Sequence, residues 1–189
     1  QVAGKGAVLI DVKTGQVLCA VEKDEQLMPA STTKILTAII AIESGRLDDT
    51  VTIGPNPPRV EGTRVYLVEG EQISMRELVI AALIHSANDA ALAIAEHLGG
   101  SAQGFAVLMN AKAKEIGALN SNFVNPHGLS EEGHYTTAYD LALIGRYCMS
   151  NGTFRDIADD KVLDWKGQEW QTRLININKL LWSYDGANG

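Results

Sequence analysis

The stretch PASTTKILTAIIAIESG, residues 29–45, opens with a proline and three hydroxyl residues and continues into an almost unbroken apolar run. We expect a helix that starts near Ser31, whose hydroxyl can accept hydrogen bonds from the N–H groups of the first turn. We expect it to end at Gly45, because glycine readily adopts the left-handed conformation found at helix ends. The apolar stripe leaves little polar face, so the helix is predicted to run through the interior of a domain.

Lys34 is the one charged residue within residues 29–42. It follows Ser31 by three positions, so the two side chains share one face of the first turn. Burial destabilises an ammonium group and lowers the pKa of a lysine towards neutrality. An uncharged amine can take the proton of a serine hydroxyl and make it nucleophilic, and the N–H groups of a helix start can stabilise an oxyanion. The alternative is a helix cap beside a solvated lysine.

A second pair of polar residues, Ser86 and Asn88, lies in the stretch HSANDA between two predicted helices. A hydroxyl and an amide two residues apart on a tight turn point to the same side, which suits proton relay and hydrogen bonding to a substrate. The alternative is that these residues only cap the next helix.

Composition limits the classes of partner. The 189 residues carry a net charge of -7 and contain no basic run, which argues against nucleic acid. The longest apolar run, residues 35–42, is far shorter than the ~20 residues of a membrane helix. Cys19 and Cys148 are interpreted as buried small residues, with a disulfide as the less favoured alternative.

The remaining sequence predicts hairpins at both ends and helices between them. Residues 6–12 and 16–22 are apolar on either side of Lys13-Thr14-Gly15, and residues 161–178 alternate around Lys166-Gly167. A sheet assembled from both ends of the chain, with a helical lobe inserted, fits this order. Residues 53–74 are expected to be loop with small strands. The expected helices run from Ser74 through His85, over residues 90–99, from Ser101 to Gly117, and from Thr136 or Thr137 to Gly152.

Together these motifs resemble those of the penicillin-recognising serine enzymes, and in particular the serine D-alanyl-D-alanine carboxypeptidases, or low-molecular-mass penicillin-binding proteins. The resemblance rests on Ser31-Thr32-Thr33-Lys34 followed by Ser86-Ala87-Asn88, and extends over NFVNPHGL, TTAYDLALIGRY and INKLLW. It implies a β-lactamase/transpeptidase-like α/β fold, with an antiparallel sheet flanked by helices beside an all-helical lobe. Residues 1–189 would form a single domain with the site between sheet and lobe.

The resemblance also implies roles for four residues. Ser31 would be the acyl-forming nucleophile and Lys34 its general base, while Ser86 would pass the proton to the leaving D-alanine and Asn88 would hold the peptide group of the substrate. The implied activity is removal of the terminal D-alanine from peptidoglycan stem peptides, outside the cytoplasmic membrane of a bacterium. β-Lactams would acylate the same serine. No metal or cofactor is implied.

One family motif is absent from the sequence. Lys-Thr-Gly on a sheet strand is expected just after a stretch such as SYDGANG, where this sequence ends, and Lys13-Thr14-Gly15 comes too early to replace it. We therefore expect the domain to be incomplete, with its C-terminal sheet strands missing and little or no activity in these residues alone. The family's usual membrane-associating segment would lie beyond Gly189.

Two alternative functions stay open. A β-lactamase on the same scaffold needs a carboxylate that activates the deacylating water, and Glu131 and Glu132 are the acids in a suitable loop. A non-catalytic binding module would keep the cleft without the chemistry. His127 and His134 lack the spacing of a helical zinc motif, and His127 is interpreted as structural.

Overall fold

Helix α1 (Thr33–Glu43) lies at the centre of the molecule, as its apolar sequence predicts. The computed structural model describes residues 4–187; the last two residues of the glycine-rich stretch 183–189 lie outside them. Helices α2 (Met75–Ile84), α3 (Asn88–Gly99) and α4 (Ala102–Ile116) pack against α1, and α3 also packs against both α2 and α4. Their shared apolar faces form the core and hold α1 in place.

Several helix ends follow the sequence signals. Gly45 and Gly117 have left-handed φ angles of 71° and 95°. The Ser74 hydroxyl accepts a hydrogen bond from the Glu77 N–H, as a capping box predicts, and Ser101 caps α4 in the same way. The cap predicted at Ser31 is wrong: a short 3₁₀ turn, Ala30–Thr32, precedes α1, and no side chain caps either element.

Helix α5 (Ala138–Cys148) begins at its predicted cap, Thr137, but ends before Gly152. Gly152 instead opens α6 (Gly152–Asp159), a helix that the sequence prediction missed. The Asn151 side chain accepts from the Phe154 N–H and therefore starts a new helix where glycine was taken to close the old one.

The strands form three separate two-stranded antiparallel sheets within residues 4–187. The single sheet expected from both ends of the chain is therefore wrong for the described residues, because the second hairpin packs on α2 instead of pairing with the first. Both hairpins lie where they were predicted. The strand bounds are β1 (Ala7–Ile10) with β2 (Val17–Val21), β3 (Thr50–Thr52) with β4 (Gln72–Ser74), and β5 (Val162–Lys166) with β6 (Gln171–Ile175).

Strand β2 is exposed along its whole length, because α5 covers β1 and no described element covers β2. Cys148 is buried as predicted, but Cys19 lies on β2 and is exposed, and both are free thiols. Trp165 is in the core, whereas Trp182 is half-exposed on the short helix α7 (Leu180–Ser183). Among the described helices, none is long and apolar enough to cross a membrane.

Candidate active site

Ser31 and Lys34 meet at the start of α1. The Lys34 ammonium nitrogen, Nζ, lies 3.1 Å from the Ser31 hydroxyl oxygen and donates a second hydrogen bond of 2.8 Å to the backbone carbonyl of His127. Lys34 is 2% exposed, so its amine has left bulk water almost completely. The solvated lysine of the alternative interpretation is therefore wrong.

Burial lowers the pKa of Lys34 to about 8, because its ammonium form loses hydration and no carboxylate among the described residues pairs with it. About half of the amine is then uncharged at pH 8, and this is the form that accepts a proton. Burial and the neighbouring Lys34 also lower the pKa of the His127 ring to about 4, so that ring is neutral where the amine works.

The loop of residues 121–135 holds the first turn of α1 through two backbone carbonyls and one side chain. Its Pro126 carbonyl accepts a hydrogen bond of 2.7 Å from the hydroxyl of Thr37, which lies one helical turn after Lys34. His134 accepts the Val124 N–H at Nδ1, so its Nε2 carries the proton and donates to the Thr33 hydroxyl at 3.0 Å. The loop is thus hydrogen-bonded to Thr33, Lys34 and Thr37 at the start of α1.

Ser86 lies on the turn between α2 and α3 and lines one cavity of about 200 Å³ together with Ser31 and Lys34. Its φ angle is 63°, a left-handed conformation that a serine adopts at a cost. Such strain is common in residues that a fold holds for function. Three of the four predicted site residues therefore meet at one cavity.

Asn88 does not line that cavity. It is 5% exposed, and its side-chain Nδ2 donates to the Glu61 carbonyl at 2.7 Å while its backbone N–H donates to the Thr63 carbonyl. No donor among residues 4–187 bonds to its Oδ1 atom, so this acceptor is unused within the described part of the chain.

Asp89, which follows Asn88, was missed by the sequence interpretation. Its fully buried carboxylate accepts the N–H groups of Val65 and Leu67, each at 3.1 Å. Burial raises the pKa of Asp89, although these N–H groups act in the opposite direction. An acid in the first turn of a helix is common, so the sequence carried no signal for this second use.

Comparisons with known proteins show what this chain is similar to. The family model described as D-alanyl-D-alanine carboxypeptidase matches residues 1–189. The D-alanyl-D-alanine carboxypeptidase DacF of Bacillus subtilis is 36% identical over 197 aligned residues, which cover 98% of this chain and 49% of DacF. The crystal structure of the carboxypeptidase DacD from Francisella tularensis superposes with a TM-score of 0.90 at 30% identity, covering all of this chain and 59% of DacD.

Penicillin-binding protein 5 from Haemophilus influenzae superposes with a TM-score of 0.88 at 31% identity, covering 97% of this chain and 55% of that one. The chain spans about half the length of the curated relatives it matches. The superposition with DacD covers all of this chain, and it therefore includes the residues of the cavity and the loop that holds Lys34.

Proposed function

We propose that this chain, which belongs to the D-alanyl-D-alanine carboxypeptidase family, carries the nucleophile of a serine enzyme. That enzyme removes the terminal D-alanine from peptidoglycan stem peptides. The observation that supports this most is the buried Lys34 amine beside the Ser31 hydroxyl. A lysine without a carboxylate partner is costly to bury, and the cost is explained if its uncharged form is the working base.

The reaction follows from this pair. Lys34 takes the Ser31 hydroxyl proton as the oxygen attacks the carbonyl of the penultimate D-alanine. The backbone N–H of Ser31, at the 3₁₀ turn, donates to the oxyanion. Ser86 passes the proton to the amine of the departing D-alanine, which leaves an ester on Ser31 that water hydrolyses. Asn88 accepts an N–H of the substrate at Oδ1.

The substrate sets the location and the inhibitors of the enzyme. Peptidoglycan stem peptides lie outside the cytoplasmic membrane, so we propose an extracytoplasmic site of action in a bacterial envelope, with peripheral membrane association. A β-lactam offers Ser31 a strained amide in place of the peptide and forms an ester that persists. The relatives named as penicillin-binding proteins support this part of the proposal.

A β-lactamase is the weaker alternative. Neither Glu131 nor Glu132 lines the cavity of Ser31, and Glu131 accepts from the Asn125 side chain at 3.0 Å. None of the residues that line this cavity carries a carboxylate that could activate a deacylating water. A persistent acyl-enzyme is the expected behaviour.

The test is to treat the protein, at its full encoded length, with benzylpenicillin and digest it with trypsin. We expect a covalent adduct on the peptide of residues 24–34, which contains Ser31, and release of D-alanine from a peptide ending in D-alanyl-D-alanine. Rapid loss of the adduct with turnover of penicillin would establish the β-lactamase. Absence of both adduct and D-alanine release would support the binding module and refute the proposal.

A further inference from the structure

A cluster of aromatic side chains lies beside Ser86, outside the cavity that holds Ser31. Trp170, near the tip of the β5–β6 hairpin, packs edge-on against Tyr66, with ring centroids 5.3 Å apart, and lies 6.0 Å from the ring of His85. The Arg64 guanidinium lies over the Tyr66 ring, 5.2 Å from its centroid. We call Arg64, Tyr66, His85 and Trp170 the aromatic wall. His85 directly precedes Ser86, so the wall adjoins the proposed proton-transfer residue.

The wall is anchored to the second motif of the site. Segment 61–67 is bound to Asn88 by the carbonyls of Glu61 and Thr63, and to Asp89 by the N–H groups of Val65 and Leu67. Val65 and Leu67 are buried, whereas Arg64 is partly exposed and Tyr66 is exposed. The contacts that position Asn88 therefore also fix the backbone that carries Arg64 and Tyr66.

Tyr66 is held in an unfavourable conformation. Its φ angle is 57°, in the left-handed region, and its side chain is nonetheless 47% exposed. An exposed aromatic residue gains little from burial to offset such strain. Ser86, on the other side of His85, is strained in the same sense, with φ of 63°. Residues in strained backbone conformations cluster at active sites and ligand-binding sites.

Arg64 gives the wall a charge without an internal partner. Its guanidinium donates to the Pro58 carbonyl at 3.1 Å, and no carboxylate among the described residues lies within 4 Å of it. Burial lowers the pKa of His85, so its ring is neutral at physiological pH and Arg64 carries the positive charge. A guanidinium on an aromatic face, in a chain of net charge -7, is suited to a carboxylate carried on an apolar stem.

We propose that the aromatic wall is a specificity subsite for the donor peptide, and that it binds an aliphatic side chain ending in a carboxylate, on the residue just before D-alanyl-D-alanine. The inference rests on the proposed function. The aliphatic stem packs on Tyr66 and Trp170, and its carboxylate pairs with Arg64. His85 adjoins Ser86, so the bound side chain holds the peptide next to the cavity that Ser31 and Ser86 line. The subsite therefore acts on the choice of substrate and not on the chemistry.

The test uses two peptides of equal shape, Nα-acetyl-Nε-succinyl-lysyl-D-alanyl-D-alanine and its succinamoyl analogue, in which an amide replaces the carboxylate. We expect kcat/KM to favour the succinyl peptide by about fivefold at low ionic strength, the range of a partly exposed ion pair. In Arg64→Gln the ratio should fall to about one through KM, and 1 M salt should have the same effect on the unmodified protein. Arg76→Gln, an exposed arginine on α2, is the matched control and should keep the ratio.

The stoichiometry of penicillin labelling is measured on the same samples. Two results would overturn the subsite and leave the proposed function intact, provided that the protein is fully labelled and hydrolyses the peptides. One is a kcat/KM ratio near one in the unmodified protein, and the other is a ratio that Arg64→Gln leaves unchanged. Absence of both labelling and hydrolysis would reject the proposed function and the subsite with it.

Discussion

Lys34→Met is expected to slow the acylation of Ser31 by benzylpenicillin about a thousandfold at pH 8, the order of magnitude that a positioned general base contributes. Methionine has a similar unbranched length and suits the dry surroundings of position 34, so the change removes the base and little else. The acylation rate is measured from the build-up of the covalent adduct by intact-mass spectrometry. The loss should appear in the acylation rate at saturating penicillin, since no binding contact is removed.

Two controls separate chemistry from folding. Lys114→Met, at an exposed position on α4, should acylate at the normal rate, and Ser31→Ala should take no label at all. The free energy of unfolding of Lys34→Met should change by no more than about 2 kcal/mol, because the lost bond to the His127 carbonyl is offset by removal of a desolvated amine. A normal acylation rate in Lys34→Met would show that another group activates Ser31.

Gly128→Ala is expected to lower the free energy of unfolding by more than about 2 kcal/mol and to impair acylation as well. Gly128 has a left-handed φ of 87°, and a Cβ there would overlap the Ala30 backbone carbonyl and lie 2.9 Å from the Thr33 hydroxyl. Backbone cannot yield as a flexible side chain can, so the loop must move away from α1. The His127 carbonyl that holds Lys34 moves with it.

Gly133→Ala is the matched control. Gly133 has a similar φ of 81°, but its nearest neighbours are side-chain atoms at 3.6 and 3.9 Å. The free energy of unfolding of Gly133→Ala should therefore fall by only about 1 kcal/mol, the cost of an alanine in the left-handed region, and its acylation rate should stay normal. The free energy of unfolding of both variants is measured by denaturant unfolding, and their acylation rates are measured from adduct build-up. Equal losses in the two would mean that the approach of Gly128 to Ala30 does not matter.

The site could be predicted where its signals are local. Ser31 and Lys34 are one helical turn apart, so sequence spacing alone placed them together, and the apolar run that follows predicted the burial of the amine. The His127 contact could not be predicted in this way, because the accepting atom is a backbone carbonyl that any residue would supply. Asn88 shows the same limit, since its Nδ2 is used by the Glu61 carbonyl.

The fold could be predicted element by element but not in its pairings. Periodicity and caps gave both hairpins and most helix starts, because these depend on a few neighbouring residues. Pairing of β5–β6 with the first hairpin concerns segments far apart in sequence, and no local pattern predicts it. The β5–β6 hairpin instead packs on α2 and buries Trp165. The aromatic wall joins residues about a hundred positions apart, and no local pattern indicates such a cluster.

The protonation state of one amine in the resting protein is the feature on which the enzymatic assignment depends. Labelling the lysines with ¹³C at Cε and following their NMR shifts against pH measures it directly, with the Lys34 signal identified by its loss in Lys34→Met. We predict a titration midpoint near 8, well below the ordinary lysine value of 10.5. A midpoint at 10.5 would contradict the account, because the amine would then be fully charged at neutral pH and unable to accept the Ser31 proton.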